Sequence, residues 1–395
     1  MKYNFDTFVD RENTNSIKWN YSQQSVGEAD VLPLWVADMD FETVPEIRDA
    51  VVKRAQHLIY GYTARSEEYY QAVIDWNQKR HGWKVDKNWI THSSGVVNAL
   101  FTAVNAFTEP GDGVIIQPPV YHPFYKAIEK NDRKTVLSPL KLQGNRYVPD
   151  IEDFEKKLKE NNVKLFILCN PHNPVGTVFN RDELRAVGEL CIRYGVTVVS
   201  DEIHSDLVYK KYRHIPFASI SEEFQQNSVI CTAPSKTFNL AGLSTSNIII
   251  PNEELKKKYD TACENAALKS FNIFGAVACE AAYRYGEEWL EELLDYIEGN
   301  KNYAIEYIES KIPDLKVNRP EGTYFLWVDC RKLNYRKTEL ESFLLHNAKL
   351  WFNQGHMFGV EGEGFVRINI ACQRSTLKKA LSRLEKAVES ATVTY

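Results

Sequence analysis

Residues 165–176 read LFILCNPHNPVG and residues 196–206 read VTVVSDEIHSD. In each, an unbroken apolar run of strand length stops abruptly at polar and turn-forming residues, the pattern of a strand buried on both faces. Three further runs have the same form: GVIIQPP at 113–119, SVICTAPS at 228–235 and STSNIIIP at 244–251. Helical periodicity lies between several of them, at Val96 to Phe107 and at Asp182 to Tyr194. Strands alternating with helices predict an α/β domain with a mainly parallel central sheet. In such sheets ligands gather beyond the carboxyl ends of the strands, and here those ends carry NPHNP, SDEIHSD and APSKTF in succession.

Working outward, the texture changes near Gly286 to a long charged helix, then to strands in TYFLWVDC and FVRINIAC and a last helix near Ser375 to Ser390. This predicts a second, smaller α/β domain over 286–395, beside a large domain over 51–285. Residues 1–50 are too irregular to fold alone and are expected to pack against the C-terminal part. A chain of 395 residues is long enough for two or three such units. Its 44% hydrophobic and 26% charged residues are ordinary for a globular protein. The formal charge of −5, with basic residues scattered, argues against a nucleic-acid partner. The opening MKYNFDTFVDREN has no apolar or Arg-rich leader, and no window approaches a membrane span, so a cytoplasmic location is expected. Seven cysteines, an odd number without a CxxC pair, read as reduced core thiols.

Candidate chemistry sits at the strand ends. Lys236, in APSKTFNLAGL, follows an apolar strand among uncharged neighbours. Desolvation lowers the pKa of such an amine and suits it to Schiff-base formation, although a surface loop lysine has the same local sequence. Asp201 ends another buried strand and offers a carboxylate to a cofactor's pyridinium nitrogen; helix capping or a metal pair with His204 are the alternatives, and no third ligand at a recognisable spacing supports a metal. Asn173 lies between two prolines in a turn that holds its amide rigidly. Gly95, Val96 and Val97 open a helix whose free N–H groups would face an anion. Tyr121, in PPVYHPF, presents a ring for stacking or for the core. Arg367, in FVRINIAC, presents a planar fork suited to a carboxylate, or to an internal salt bridge. Trp35, Met39, Phe41 and Phe358 are candidates for an apolar pocket wall or for the core.

NPHNPVG, SDEIHSD, SKTFNLAGL and FVRINIAC, in that order along nearly the whole chain, resemble the class I/II aminotransferase family, with the fold-type I (aspartate aminotransferase-like) architecture of PLP-dependent transferases. The resemblance implies pyridoxal 5'-phosphate (PLP) on Lys236, with Asp201 at the pyridine nitrogen, and Asn173 and His204 near the ring hydroxyl. It implies Gly95, Val96, Val97 and Ser235 at the phosphate, Tyr121 on the ring, and Arg367 at the substrate carboxylate, with Asn173 and Trp35 beside it. Tyr62, in YGYT, resembles the tyrosine that the family lends across a homodimer interface to the neighbouring phosphate. LPLWVADMDF, YGYT, DEIHSD and PEGTYFLW look like the cystathionine β-lyase or C-S lyase branch, of MalY/PatB type. That branch implies β-elimination from cystathionine or a related cysteine S-conjugate, with Lys236 moving the α-proton and Tyr62 or Tyr121 assisting. An aminotransferase, or a regulatory binding protein on the same fold, are the alternatives. The chain departs from standard aminotransferases in three places: His204 stands where a tyrosine is usual, Val96 replaces a phosphate-binding hydroxyl residue, and no arginine occurs between Lys236 and Pro251.

Overall fold

The computed structural model describes residues 2–21, 27, 30–268, 270 and 272–392. Its centre is a seven-stranded sheet of β1 (Ile90–Ser93), β2 (Gly113–Ile116), β3 (Lys134–Leu137), β4 (Val163–Cys169), β5 (Thr197–Asp201), β6 (Ser228–Thr232) and β7 (Ser246–Ile249), in the order β1-β7-β6-β5-β4-β2-β3. Strands β3, β2, β4, β5 and β6 run parallel, and only β7 is antiparallel to its neighbours β6 and β1. The apolar runs are continuous because both faces are covered. Along β4, Leu165, Ile167 and Cys169 pack with Val96, Leu100 and Ala103 of helix α1 (Val96–Phe107). The alternate residues Phe166 and Leu168 pack with Leu184 and Val187 of helix α2 (Arg181–Tyr194). Each such fully buried aliphatic side chain contributes roughly 1.5–3 kcal/mol.

Helix α2 shows how local sequence sets an element's ends. Asn180 and Glu183 form a reciprocal capping box at its start, and Gly195, with φ of 64°, accepts the left-handed turn that ends it.

The register of the central strands places the site. Cys169 lies opposite Asp201, and Asp201 opposite Cys231, so β4, β5 and β6 end at one level. The segments that follow them, beginning at Asn170, Glu202 and Ala233, therefore leave the sheet side by side.

A four-stranded antiparallel sheet of β8 (Lys316–Val317), β9 (Phe325–Asp329), β10 (Asn353–Gln354) and β11 (Phe365–Asn369) has the order β8-β9-β11-β10. Helices α3 (Glu287–Lys311) and α4 (Arg374–Thr392) pack on each other beside it. The early segment is bound to this part: Leu32–Pro33 pairs in parallel with Leu350–Trp351, and the Asn369 amide donates to the carbonyls of Val36 and Asp38. Fully buried Lys18 donates to Asp40 at 2.6 Å, and Arg11 donates to both Asp38 and Asp40. All seven cysteines are free and buried, and among the described residues no helix is long and apolar enough to cross a membrane.

Candidate functional site

The three strand ends, the start of α1 and the backbone near Ala37 enclose a cleft of about 200 Å³. Gly95, Val96, Val97, Tyr121, Asn173, Asp201, His204, Ser235 and Lys236 line it, so nine residues singled out in separate motifs share one wall. Cys169, Ser94, Ala241, Ser244 and Thr245 complete the lining with Ala37 and Ile203.

Lys236 sits in a single helical turn, Pro234–Thr237, directly after β6. Its Nζ donates to the Ala37 carbonyl at 2.8 Å. Burial, with the Arg367 charge nearby, lowers its pKa to about 8, although Asp38 and Asp201 act the other way. Such an amine is partly unprotonated near neutral pH and is a better nucleophile than an ordinary lysine.

Asp201 is buried at the end of β5, and its Oδ1 accepts the Ile203 N–H at 3.1 Å. Burial pushes its carboxyl up to about 7, against the opposing pull of that bond and of Lys236. Burial, with Lys236 and Arg367, holds His204 well below the ordinary imidazole value, and among the described residues its Nδ1 has no hydrogen-bond partner.

Arg367 reaches the site from β11. Its guanidinium lies between the rings of Phe325 and Phe358, 4.0 and 5.1 Å from their centroids. Nη1 donates to Asn173 Oδ1 at 2.8 Å, while Nη2 donates to the Trp35 carbonyl at 3.0 Å and to Asn353 Oδ1. Burial lowers its pKa to about 10, so it remains a cation at neutral pH, and no carboxylate is among these partners. The internal salt bridge weighed from sequence is replaced by neutral acceptors, which leaves the positive charge available to an incoming anion. Because Asn173 gives its oxygen to Arg367, its Nδ2 is left as the donor.

The remaining candidates lie elsewhere. The Trp35 ring stacks on Trp351 at 4.7 Å, and its carbonyl, not its ring, meets Arg367. Met39 and Phe41 are core residues, Phe41 packing edge-on to Phe5 and Tyr296. Phe358 is buried against Trp327 and Arg367. Tyr62 is fully exposed and takes no part in this chain's own cleft.

Sequence reasoning missed the Ala37 carbonyl, Tyr324, whose hydroxyl donates to that carbonyl, and Asn353. It also missed Asn239, whose side chain joins the backbone of Met39 and Phe41. Backbone acceptors carry no signal in residue type. Asn239, three residues after Lys236, was the readable clue, since it adopts a positive φ of 59°.

The donors fit the cofactor that the motifs imply. No side chain caps α1, and a Cβ built at Gly95 meets nothing within 4 Å, so the positive end of the helix opens on free space. Hydroxyls of Ser94, Ser235, Ser244 and Thr245 stand around the cleft where an arginine is lacking. The Asp201 carboxyl, destabilised by burial, and the unpartnered His204 nitrogen call for polar groups that a protonated pyridine ring with its hydroxyl supplies.

Comparison with known proteins agrees with this chemistry. The family model described as aminotransferase class I and II matches residues 29–384. Cystathionine beta-lyase PatB of Bacillus subtilis is 46% identical over 98% of this chain and 100% of its own length. Protein MalY of Escherichia coli is 33% identical over 98% and 99%. The PLP-bound C-S lyase of Staphylococcus hominis superimposes with a TM-score of 0.92 at 35% identity, covering 98% of both chains.

Proposed function

The chain belongs to the class I and II aminotransferase family, and we propose that it works there as a PLP-dependent carbon–sulfur β-lyase on L-cystathionine or a related cysteine S-conjugate. The observation that carries the site assignment is the single buried cleft in which Lys236, Asp201, Asn173 and the open end of α1 converge. Bound PLP supplies an aldehyde for amine capture and an electron sink conjugated to the substrate's Cα.

The residues then divide the work. Arg367 and the Asn173 amide bind the substrate α-carboxylate, fixing which bond at Cα stands across the cofactor plane. Asp201 holds a proton at the pyridine nitrogen, and the ion pair so formed brings its carboxyl down from the raised value. With the cofactor bound, Lys236 would take the Cα proton; its lowered pKa matches that task near neutral pH. The electron pair left at Cα expels the sulfur from Cβ as a thiol or thiolate. Water then converts the three-carbon remnant to pyruvate and ammonia. Tyr121 lines the cleft and would stack on the ring, and the α1 N–H groups of Gly95, Val96 and Val97 would hold the phosphate with Ser235.

We assign residues 51–285 to cofactor binding and 286–395 to the small domain that brings Arg367, with residues 1–50 joining the two. The exposed side chains of Leu58, Ile59, Tyr60 and Tyr62 support a homodimer in which Tyr62 serves the partner's phosphate. With cystathionine as substrate the thiol product is homocysteine, which places the reaction in methionine biosynthesis. The seven free, buried thiols suit a reducing cytoplasm.

The test is release of pyruvate and free thiol from L-cystathionine by PLP-loaded protein, with and without an added α-keto acid. The expected result is equal release in both. Turnover only when keto acid is present would make the protein an aminotransferase on this fold.

A further inference from the structure

One residue behind the site, in both cofactor-facing segments, a second polar layer is buried in the protein. Thr237 follows Lys236, and its hydroxyl donates to Asp206 Oδ2 at 2.8 Å. Asp206 Oδ1 accepts from Trp76 Nε1 at 3.1 Å and lies 2.9 Å from His81 Nε2. At the other end Glu202 follows Asp201; its Oε2 is 2.8 Å from His214 Nε2, and its Oε1 accepts from Ser200 Oγ and the Phe217 N–H. The two imidazoles meet edge to face at 5.3 Å, so one chain of polar groups runs from beside Asp201 to beside Lys236.

The side chains in this chain are buried, Thr237 fully so, except that His81 is a partly buried residue whose side chain is 7% exposed. An ionised carboxylate with three polar partners is an expensive way to fill a core that apolar residues would fill without desolvation cost. What it provides is direction: Asp206 accepts from three elements at fixed angles, the helix ending at Trp76, the turn at His81 and the lysine-bearing turn. Burial pushes the Asp206 carboxyl up, but the bonds from His81 and Thr237 and the nearby Arg80 outweigh it, so it stays ionised. Burial keeps His81 below the ordinary imidazole value, which leaves its ring neutral and donating. Asp206 is not among the charges that shift Lys236. Its route to the site is mechanical, through Thr237.

We propose that Asp206 is a positioning residue: by gripping the Thr237 hydroxyl it sets Lys236 at a fixed place relative to Asp201. The same turn that offers Asp201 and His204 to the cleft turns Asp206, two residues after His204, the other way to hold Thr237. The inference rests on the cofactor reading of Lys236 given above and adds what holds that lysine in register.

The experiment equilibrates purified holoenzyme against graded PLP and reads bound cofactor by its visible absorbance, alongside kcat and KM for L-cystathionine. Thr237→Val keeps the shape and removes the donor, leaving Asp206 Oδ2 short of one partner. Cofactor affinity should fall about tenfold or more, the scale of a lost bond to a buried charge. The loss in activity should appear in kcat rather than KM, and Thr237→Ser should restore both. Asp206→Asn should match Thr237→Val, and the double variant should be no worse than the poorer single one, because both break the same contact. If Asp206→Asn does not fold, the valine and serine variants decide alone. Wild-type affinity in Thr237→Val, equal damage in Thr237→Ser, or additive losses would overturn the proposal. Failure of the wild-type chain to retain PLP at all would instead overturn the cofactor reading beneath it.

Discussion

Two parts of the molecule were marked by the same kind of motif and have opposite surroundings. Asp201, Asn173 and Arg367 are each about 4% exposed; Asp201 accepts the N–H of Ile203 two residues on, while Arg367 donates to Asn173 across 194 positions. Leu58, Ile59, Tyr60 and Tyr62 are between 55% and 109% exposed, on a stretch where Leu58 takes a positive φ of 62°. The buried wall is drawn from one chain, whereas the exposed stretch contributes none of its lining. A motif therefore nominates residues for a site, while burial and lining report which of them this chain's own cleft holds.

The sharpest way to break the self-sufficiency of the wall is Lys236→Ala. It removes the amine we propose to capture the cofactor and move the Cα proton, and among the described residues no second lysine lines the cleft. Turnover of L-cystathionine should fall by at least about 10⁴-fold, with weak residual PLP binding through the α1 terminus and Asp201. Absorbance and pyruvate release measured on one preparation check both halves; near-normal turnover would dismiss Lys236 as the reacting group.

Arg367→Lys asks less. The charge stays, but the planar fork that bridges Asn173, the Trp35 carbonyl and Asn353 is lost, as is its seat between Phe325 and Phe358. The expected outcome is a KM raised on the order of 10–100-fold with a smaller change in kcat, read from saturation curves, since the contact binds ground and transition states alike. A variant losing kcat at unchanged KM would move the carboxylate site elsewhere.

The parts of this architecture that were legible in sequence share a physical cause. Strands β4, β5 and β6 are buried on both faces, so their apolar runs are unbroken and their ends conspicuous; Asp201 is the last residue of β5, and Asn173 and Lys236 stand just past the ends of β4 and β6. The helix read at Val96 to Phe107 has those bounds in the structure, its apolar period beginning directly after Gly95. What escaped notice is held by backbone or by distant pairing. Ala37 contributes a carbonyl, for which its methyl side chain is no clue. Asp206 reads as one more acidic residue in SDEIHSD until Thr237, 31 positions away, is seen to donate to it. Trp35 was read by its ring, whereas its carbonyl faces Arg367 and the ring is taken up by Trp351.

Tyr62 supplies the smallest effect and the most discriminating one. Nothing among the described residues of its own chain covers it, so if its hydroxyl serves a cofactor phosphate, that phosphate is the partner's. Tyr62→Phe should lower kcat about tenfold, the scale of one hydrogen bond to an anion. The decisive form mixes subunits. A Tyr62→Phe chain paired with a Lys236→Ala chain has one site lacking both groups and one with both intact. Random pairing of equal amounts makes half the dimers mixed, each with one working site, so activity should reach about a quarter of wild type where Lys236→Ala alone has none. Because Tyr62→Phe keeps some turnover, the reference is an unmixed blend of the two homodimers, above which the mixed sample must rise. A mixed sample equal to that blend would place Tyr62 at its own chain's site, or at none, and the exposed stretch would then be an interface without a catalytic share.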